Sequence, residues 1–201
     1  MIQSITETAL AVSVEEAKDY GRITTNDEDV LVASLVRMAQ AQVEDYTGRA
    51  AGVGTFKYVA PAWPVRGWDQ FYLFPAFRPS GPKDITLGRS PLVSVQSVKY
   101  LAPGAVALST VDPVNYTLDT VGLPGRVVFR NDYTLPDLDT DCARTDVVQI
   151  EFTAGVVNPQ INLAILLTFV NYYENRTPVV TGTIATELPR SVQNLLRSQR
   201  I

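Results

Sequence analysis

The side chains of this chain with the greatest capacity for chemistry are acids and aromatics, because histidine is absent. Without an imidazole, Ser-His-Asp and Cys-His relays, histidine-ligated zinc and ordinary proton shuttling near neutral pH are excluded within the chain. Asp137, Asp139 and Asp141 occupy alternate positions, as the first three ligands of an EF-hand loop do where carboxylates converge on calcium. The pattern then fails: Cys142 stands where glycine makes the sharp turn, and Val148 where a bidentate glutamate closes the site. The segment reads as a solvated acidic loop between strands. Glu151 is the one acid inside a strongly apolar run, QIEF, whereas acid-base catalysis by carboxylates needs two converging across a cleft. Its expected place is an outward position of an alternating strand. Cys142, the single cysteine, rules out an intrachain disulfide or CxxC pair, and with no histidine to draw off its proton it reads as inert. The glycines of APGA, LPGR and TAGV are spaced as separate turns and make no phosphate cradle. No catalytic set, metal site or cofactor is expected, and the chain reads as a non-enzyme.

One aromatic cluster remains: Trp63, Trp68, Phe71, Tyr72, Phe74 and Phe77. Such a group suits a stacking platform for sugars or bases, but only Arg66 and Arg78 interleave it, so local core or subunit contact is the favoured reading. The charge balance agrees, since 17 Lys and Arg against 21 Asp and Glu give net −4, without the basic footprint of a protein that grips nucleic acid by its phosphates. The opening residues lack the basic region of a signal peptide, and the longest apolar stretch, 161–170, falls short of the roughly 20 residues of a membrane span. Synthesis in the cytoplasm and no membrane association are expected.

The elements that must position these residues follow from caps and periodicity. Ser13 with Glu16 forms a capping box for a short helix over 14–20, which Gly21 is expected to end. Thr25 with Glu28, or Asn26 with Asp29, opens a longer helix ending at Gly48. Its stripe is Val32, Val36, Ala39, Val43 and Tyr46, widened by Leu31, Leu35 and Met38. From residue 55 short apolar runs alternate with Pro and Gly, and strands are expected at 56–59, 71–74, 85–87, 93–101, 116–118, 126–129 and 147–153. The phase of the fourth slips at Ser97, as in a β-bulge. Asn158 and Pro159 start a helix, apolar nearly all round, that runs to about residue 176. Leu188, Val192, Leu195 and Leu196, interleaved with Arg190, Arg197 and Arg200, form a basic amphipathic tail. The fold class is therefore α+β, a helical bundle with a β-rich insertion. Its divisions are 1–54 for the N-terminal helices, 55–157 for the insertion, 158–180 for the long C-terminal helix and 181–201 for the tail.

In this order the segments resemble the head-tail connector, or adaptor, proteins of long-tailed bacteriophages, a family also found in gene transfer agents. The matching pieces are VSVEEAKDYGRI, VEDYTGR, PLVSVQSVKYL, PGRVVF, VVQIEFTAGV, AILLTFVNYYENR and LPRSVQNLLRSQR. The family usually has leucine where Gly21 stands here, and residues 52–83 match poorly. The resemblance implies a virion protein at the head-tail interface: a dodecameric ring beneath the portal, extending the DNA channel without specific DNA binding. It would offer a platform to the next stopper or tail-completion protein. It assigns portal binding to Leu188, Arg190, Leu195, Leu196, Arg197 and Arg200 of the tail. A closed ring needs two different faces on each subunit, and the apolar stripes supply Leu31, Leu35, Met38, Phe169 and Tyr173 as interface candidates. Two other readings compete: a β-rich glycan- or surface-binding module built on the Trp63 to Phe77 cluster, and, behind it, a carboxylate hydrolase around Asp137, Asp139, Asp141 and Glu151.

Overall fold

The computed structural model describes residues 2–5, 8–64, 83–139, 144–175 and 188–200. Among them are four α-helices and two antiparallel sheets, an α+β arrangement. The chain divides into two compact units, Met1–Glu7 with Gly54–Ala154, and Thr8–Val53 with Gly155–Ile201.

The first unit holds all the strands. Its larger sheet has the order β1-β2-β8-β4-β5, from β1 (Ile2–Ser4), β2 (Gly54–Ala60), β8 (Val148–Ala154), β4 (Leu92–Tyr100) and β5 (Ser109–Thr110). The smaller has the order β3-β7-β6, from β3 (Asp84–Thr86), β7 (Arg126–Phe129) and β6 (Tyr116–Asp119). β2 and β8 pair without a break from Gly54 opposite Ala154 to Ala60 opposite Val148. On β8 Val148, Ile150, Phe152 and Ala154 are buried while Gln149, Glu151 and Thr153 point the other way, the period-two pattern of a half-buried strand. Phe56 and Phe152 are register partners with ring centroids 5.7 Å apart. The β4–β8 register shifts between Leu92 and Ser94 and again between Val95 and Ser97, which places the irregularity where the alternation slips. Strands β1 and β5 are additions to the expected elements. Three residues are too short for a periodic signal, and β1 owes its conformation to pairing with Phe56–Tyr58. The strand expected at 71–74 lies outside the described residues.

The second unit holds α1 (Val14–Gly21), α2 (Asp29–Thr47), α3 (Pro159–Glu174) and α4 (Arg190–Leu196). Ser13 Oγ accepts from the Glu16 N–H at 3.1 Å, and Asn158 Oδ1 from the Gln160 N–H at 2.9 Å, so the caps of α1 and α3 are as expected. Gly21, expected to end α1, is its last helical residue; the left-handed position belongs to Arg22, φ 54°. The Arg22 and Ile23 N–H groups then close the turn on the Asp19 and Lys18 carbonyls. A Cβ at Gly21 would stand in ordinary contact, 3.5 Å, with the Phe169 ring and 3.3 Å from the Ile23 Cδ1 tip. The N-cap expected for α2 is also replaced, while its C-cap is as expected. Glu28 holds the N-cap position with no capping bond, because Lys18 Nζ takes both Asn26 Oδ1 and Asp29 Oδ1, each at 2.6 Å. At the other end Gly48 adopts φ 73° and its N–H reaches the Glu44 carbonyl at 2.8 Å.

One core joins all four helices: Ala17 of α1, Val32, Val36, Ala39 and Val43 of α2, Ile161, Ala164, Ile165 and Phe169 of α3, and Val192 and Leu196 of α4 with Leu188 before it. The tail therefore has a partner within the chain, its apolar stripe being part of this core. A polar lock closes the same unit. Gln40 Oε1 accepts from the Ala11 N–H at 2.9 Å, Gln40 Nε2 donates to Glu44 Oε1 at 3.0 Å, and Glu44 Oε1 accepts from the Ala51 N–H at 2.9 Å. Both side chains are buried, and the network fixes segments 9–11 and 49–51 to α2.

Candidate functional site

Among the described residues, the acids singled out for chemistry form no group of three. Glu151 stands on the outward face of β8 between Lys57, at 3.5 Å, and Lys99, at 3.9 Å, and these two ammonium groups balance its charge. Asp139 belongs to a loop held by its N–H to the Leu101 carbonyl at 2.9 Å; Asp137 is exposed, and Asp141 and Cys142 lie outside the described residues. Among the described residues no group of three or more Cys, Asp or Glu is placed to hold a metal ion, and no helix is long and apolar enough to cross a membrane. A charged bracket spans the small sheet. Arg126 reaches Asp119 Oδ2 at 2.6 Å and Asp84 Oδ2 at 3.2 Å. The Gly122 N–H, with Arg126 beside it, holds the Asp119 carboxyl below the usual carboxylate range, and Asp119 and Asp84 hold Arg126 above its own. This fastens β3, β6 and β7 to one another.

Of the aromatic cluster only Trp63 is described. Its indole N–H donates to the Pro136 carbonyl at 2.9 Å, and its ring lies 5.9 Å from Tyr100 and 5.8 Å from Phe129. Trp63 thus packs within its own unit. Trp68, Phe71, Tyr72, Phe74 and Phe77 lie outside the described residues.

The interface and tail candidates separate into two groups. Leu31 and Met38 are exposed on α2, Met38 by 51%, with Leu35 partly covered between them. Phe169 is fully buried in the helical core, and Tyr173, 5.9 Å from it, donates through its hydroxyl to Glu28 Oε2 at 2.6 Å. In the tail Leu188 and Leu196 are buried and Leu195 is partly covered, whereas Arg190, Arg197 and Arg200 are exposed. The tail is also held by polar contacts. Arg49 Nε donates to the Gln199 carbonyl at 2.6 Å, Asn158 Nδ2 to Gln199 Oε1 at 3.3 Å, and the Arg200 guanidinium lies 5.4 Å above the Tyr46 ring. Burial lowers the pKa of Arg49 from its ordinary value. Helical spacing alone had not marked the exposed apolar residues Tyr20, Val30, Val53, Val156 and Val157. All five lie at or beyond element ends, where periodicity carries no signal.

No sequence-family model matches the chain, and no curated protein does. Solved structures do. A chain in the neck of an empty gene transfer agent particle, computed with C6 symmetry, superposes with TM-score 0.73 at 22% identity, covering 100% of this chain and 95% of that one. A chain of the virion of a native gene transfer agent particle gives 0.71 at 22%, with 100% and 95% covered. A third, in the neck of the native particle computed with C12 symmetry, gives 0.68 at 22%, with 100% and 94% covered. The whole chain shares the fold of these gene transfer agent chains, consistent with the head-tail connector resemblance read from its sequence.

Proposed function

We propose that this chain is a structural connector of the neck of a tailed phage or phage-like particle. In this reading it is the adaptor: copies close into a ring, dodecameric by resemblance, under the portal. The ring extends the DNA channel and presents a platform to the next stopper or tail-completion protein. The observation that carries the reading is the whole-chain likeness to neck chains solved in C6- and C12-symmetric assemblies. Two further features support it. The net charge of −4 suits a conduit past which DNA slides, since a basic lumen would hold phosphates and retard passage. Among the described residues Glu151 is ion-paired and Trp63 packs inward, so neither lends support to the hydrolase or glycan-binding reading. Strands β2 to β8 between α2 and α3 then form the β-rich insertion in a helical bundle.

Native mass spectrometry of the purified protein, alone and mixed with the portal protein from the same genome, tests the reading. A closed ring is expected in at least one sample; a monomer in both overturns it.

A further inference from the structure

Each end of α2 carries exposed apolar side chains, and the exposed charges around them are mainly acidic at one end, with Arg22 among them, and mainly basic at the other, with Asp45 among them. At its start Tyr20, Val30 and Leu31 are exposed, Val30 by 84%. The Lys18 bonds to Asn26 and Asp29 bring the last turn of α1 to this end. Around it stand the exposed carboxylates of Asp19 and Asp27, neither in an ion pair among the described residues.

At the far end the Arg49–Gln199 and Asn158–Gln199 bonds gather the C-terminal residues beside the start of α3. There Val53, Val156 and Val157 are exposed, Val157 by 62%, and Arg197 and Arg200 are exposed at the rim. The 19 residues of α2 hold the two ends about 28 Å apart.

An apolar centre with a charged rim is the anatomy of a protein contact. Two different, mutually complementary patches on one chain make a head-to-tail contact, which closes into a ring when the rotation per copy permits. We propose that the acidic end of one copy, Asp19, Val30 and Leu31, packs on the basic end of the next, Val156, Val157 and Arg197. The occupant is a second copy of this chain because each patch finds its complement in charge on the other. The assignment rests on the connector reading above, and it gives Arg197 to the neighbouring subunit rather than to the portal.

Charge reversal in trans tests it. Asp19→Lys with Asp27→Lys, and separately Arg197→Glu, are each expected to lower the ring population in native mass spectra at least about tenfold, since like charges brought together oppose association. Mixing the two variants is expected to restore rings by alternation, because each altered end then meets its altered complement. A folding failure cannot be rescued by mixing. If the unaltered chain forms rings and both variants form them equally well, the head-to-tail assignment falls while the connector reading stands. If Arg197→Glu leaves the ring intact and abolishes portal binding, the basic patch belongs to the portal and the assignment falls. A wild-type chain that stays monomeric with portal present overturns both.

Discussion

Arg49 and Gln199 are 150 residues apart in sequence and joined by a hydrogen bond of 2.6 Å, from the Arg49 Nε–H to the Gln199 carbonyl. With Leu188, Val192 and Leu196 in the core, this bond makes the C-terminal residues part of the helical unit. A tail serving only as an external anchor would leave the unit's stability unchanged when altered. Leu196→Ala is instead expected to destabilise it by about 2–5 kcal/mol, the cost of removing a fully buried leucine from a packed core. Urea unfolding followed by circular dichroism measures this, and a change below about 0.5 kcal/mol would contradict the packing.

The Gln40–Glu44 lock is predicted to be worth more than either residue's helix propensity. Glu44→Ala strands the Ala51 N–H and removes one of the two acceptors of Gln40 Nε2, the Ala9 carbonyl remaining, whereas Glu44→Gln retains a carbonyl oxygen that can accept from both donors. The alanine variant is expected to lose about 1–3 kcal/mol and the glutamine variant less. Equal losses in thermal melts would show that the charge, and not the bonding, matters.

Much of this architecture was legible because it depends on short-range rules. The Ser13 and Asn158 caps, the left-handed Gly48, the stripe from Val32 to Val43 and the alternation of β8 all arise within a few residues, and the structure contains them. What escaped depends on partners distant in sequence. Lys18 took Asn26 and Asp29, one of the two pairs expected to cap α2, and β1 exists only through β2. The site was less legible for the same reason. The tail's amphipathic spacing is visible in the sequence, but whether its leucines face an outside partner or the chain's own α3 is a tertiary fact.

Gly155 has φ +118°, and a Cβ there would come within 2.0 Å of the Gly52 carbonyl oxygen. A side chain at Gly52 would in turn meet the Ala9 carbonyl oxygen at 1.8 Å. Backbone atoms cannot rotate away as a side-chain tip can, so Gly155→Ala must distort the chain where α3 is approached. A fall in melting temperature larger than that of an exposed control such as Gly104→Ala is expected. Gly104 also has positive φ, in the left-handed region at 69°, and nothing lies within 4 Å of its added Cβ, so the control carries neither the clash nor the more strained φ of Gly155.

The Arg126 bracket gives the β unit a pH signature. Asp119 is held below its ordinary range first by the Gly122 N–H and then by Arg126, so its ionised form is favoured in the folded state. A depressed folded-state pKa contributes stability that is fully present above the unfolded value, about 3.9, and fades as pH falls through the folded one. Asp119→Asn removes that difference, so wild type and variant should differ most near neutral pH and converge in acid. The variant also loses its ionic contact with Arg126, which leaves Asp84 as the sole carboxylate of the bracket. Denaturant midpoints of the β unit measured from pH 7 down to pH 2 read the effect directly. Parallel curves with a constant offset would mean that Asp119 titrates alike folded and unfolded, and that the bracket acts only through geometry.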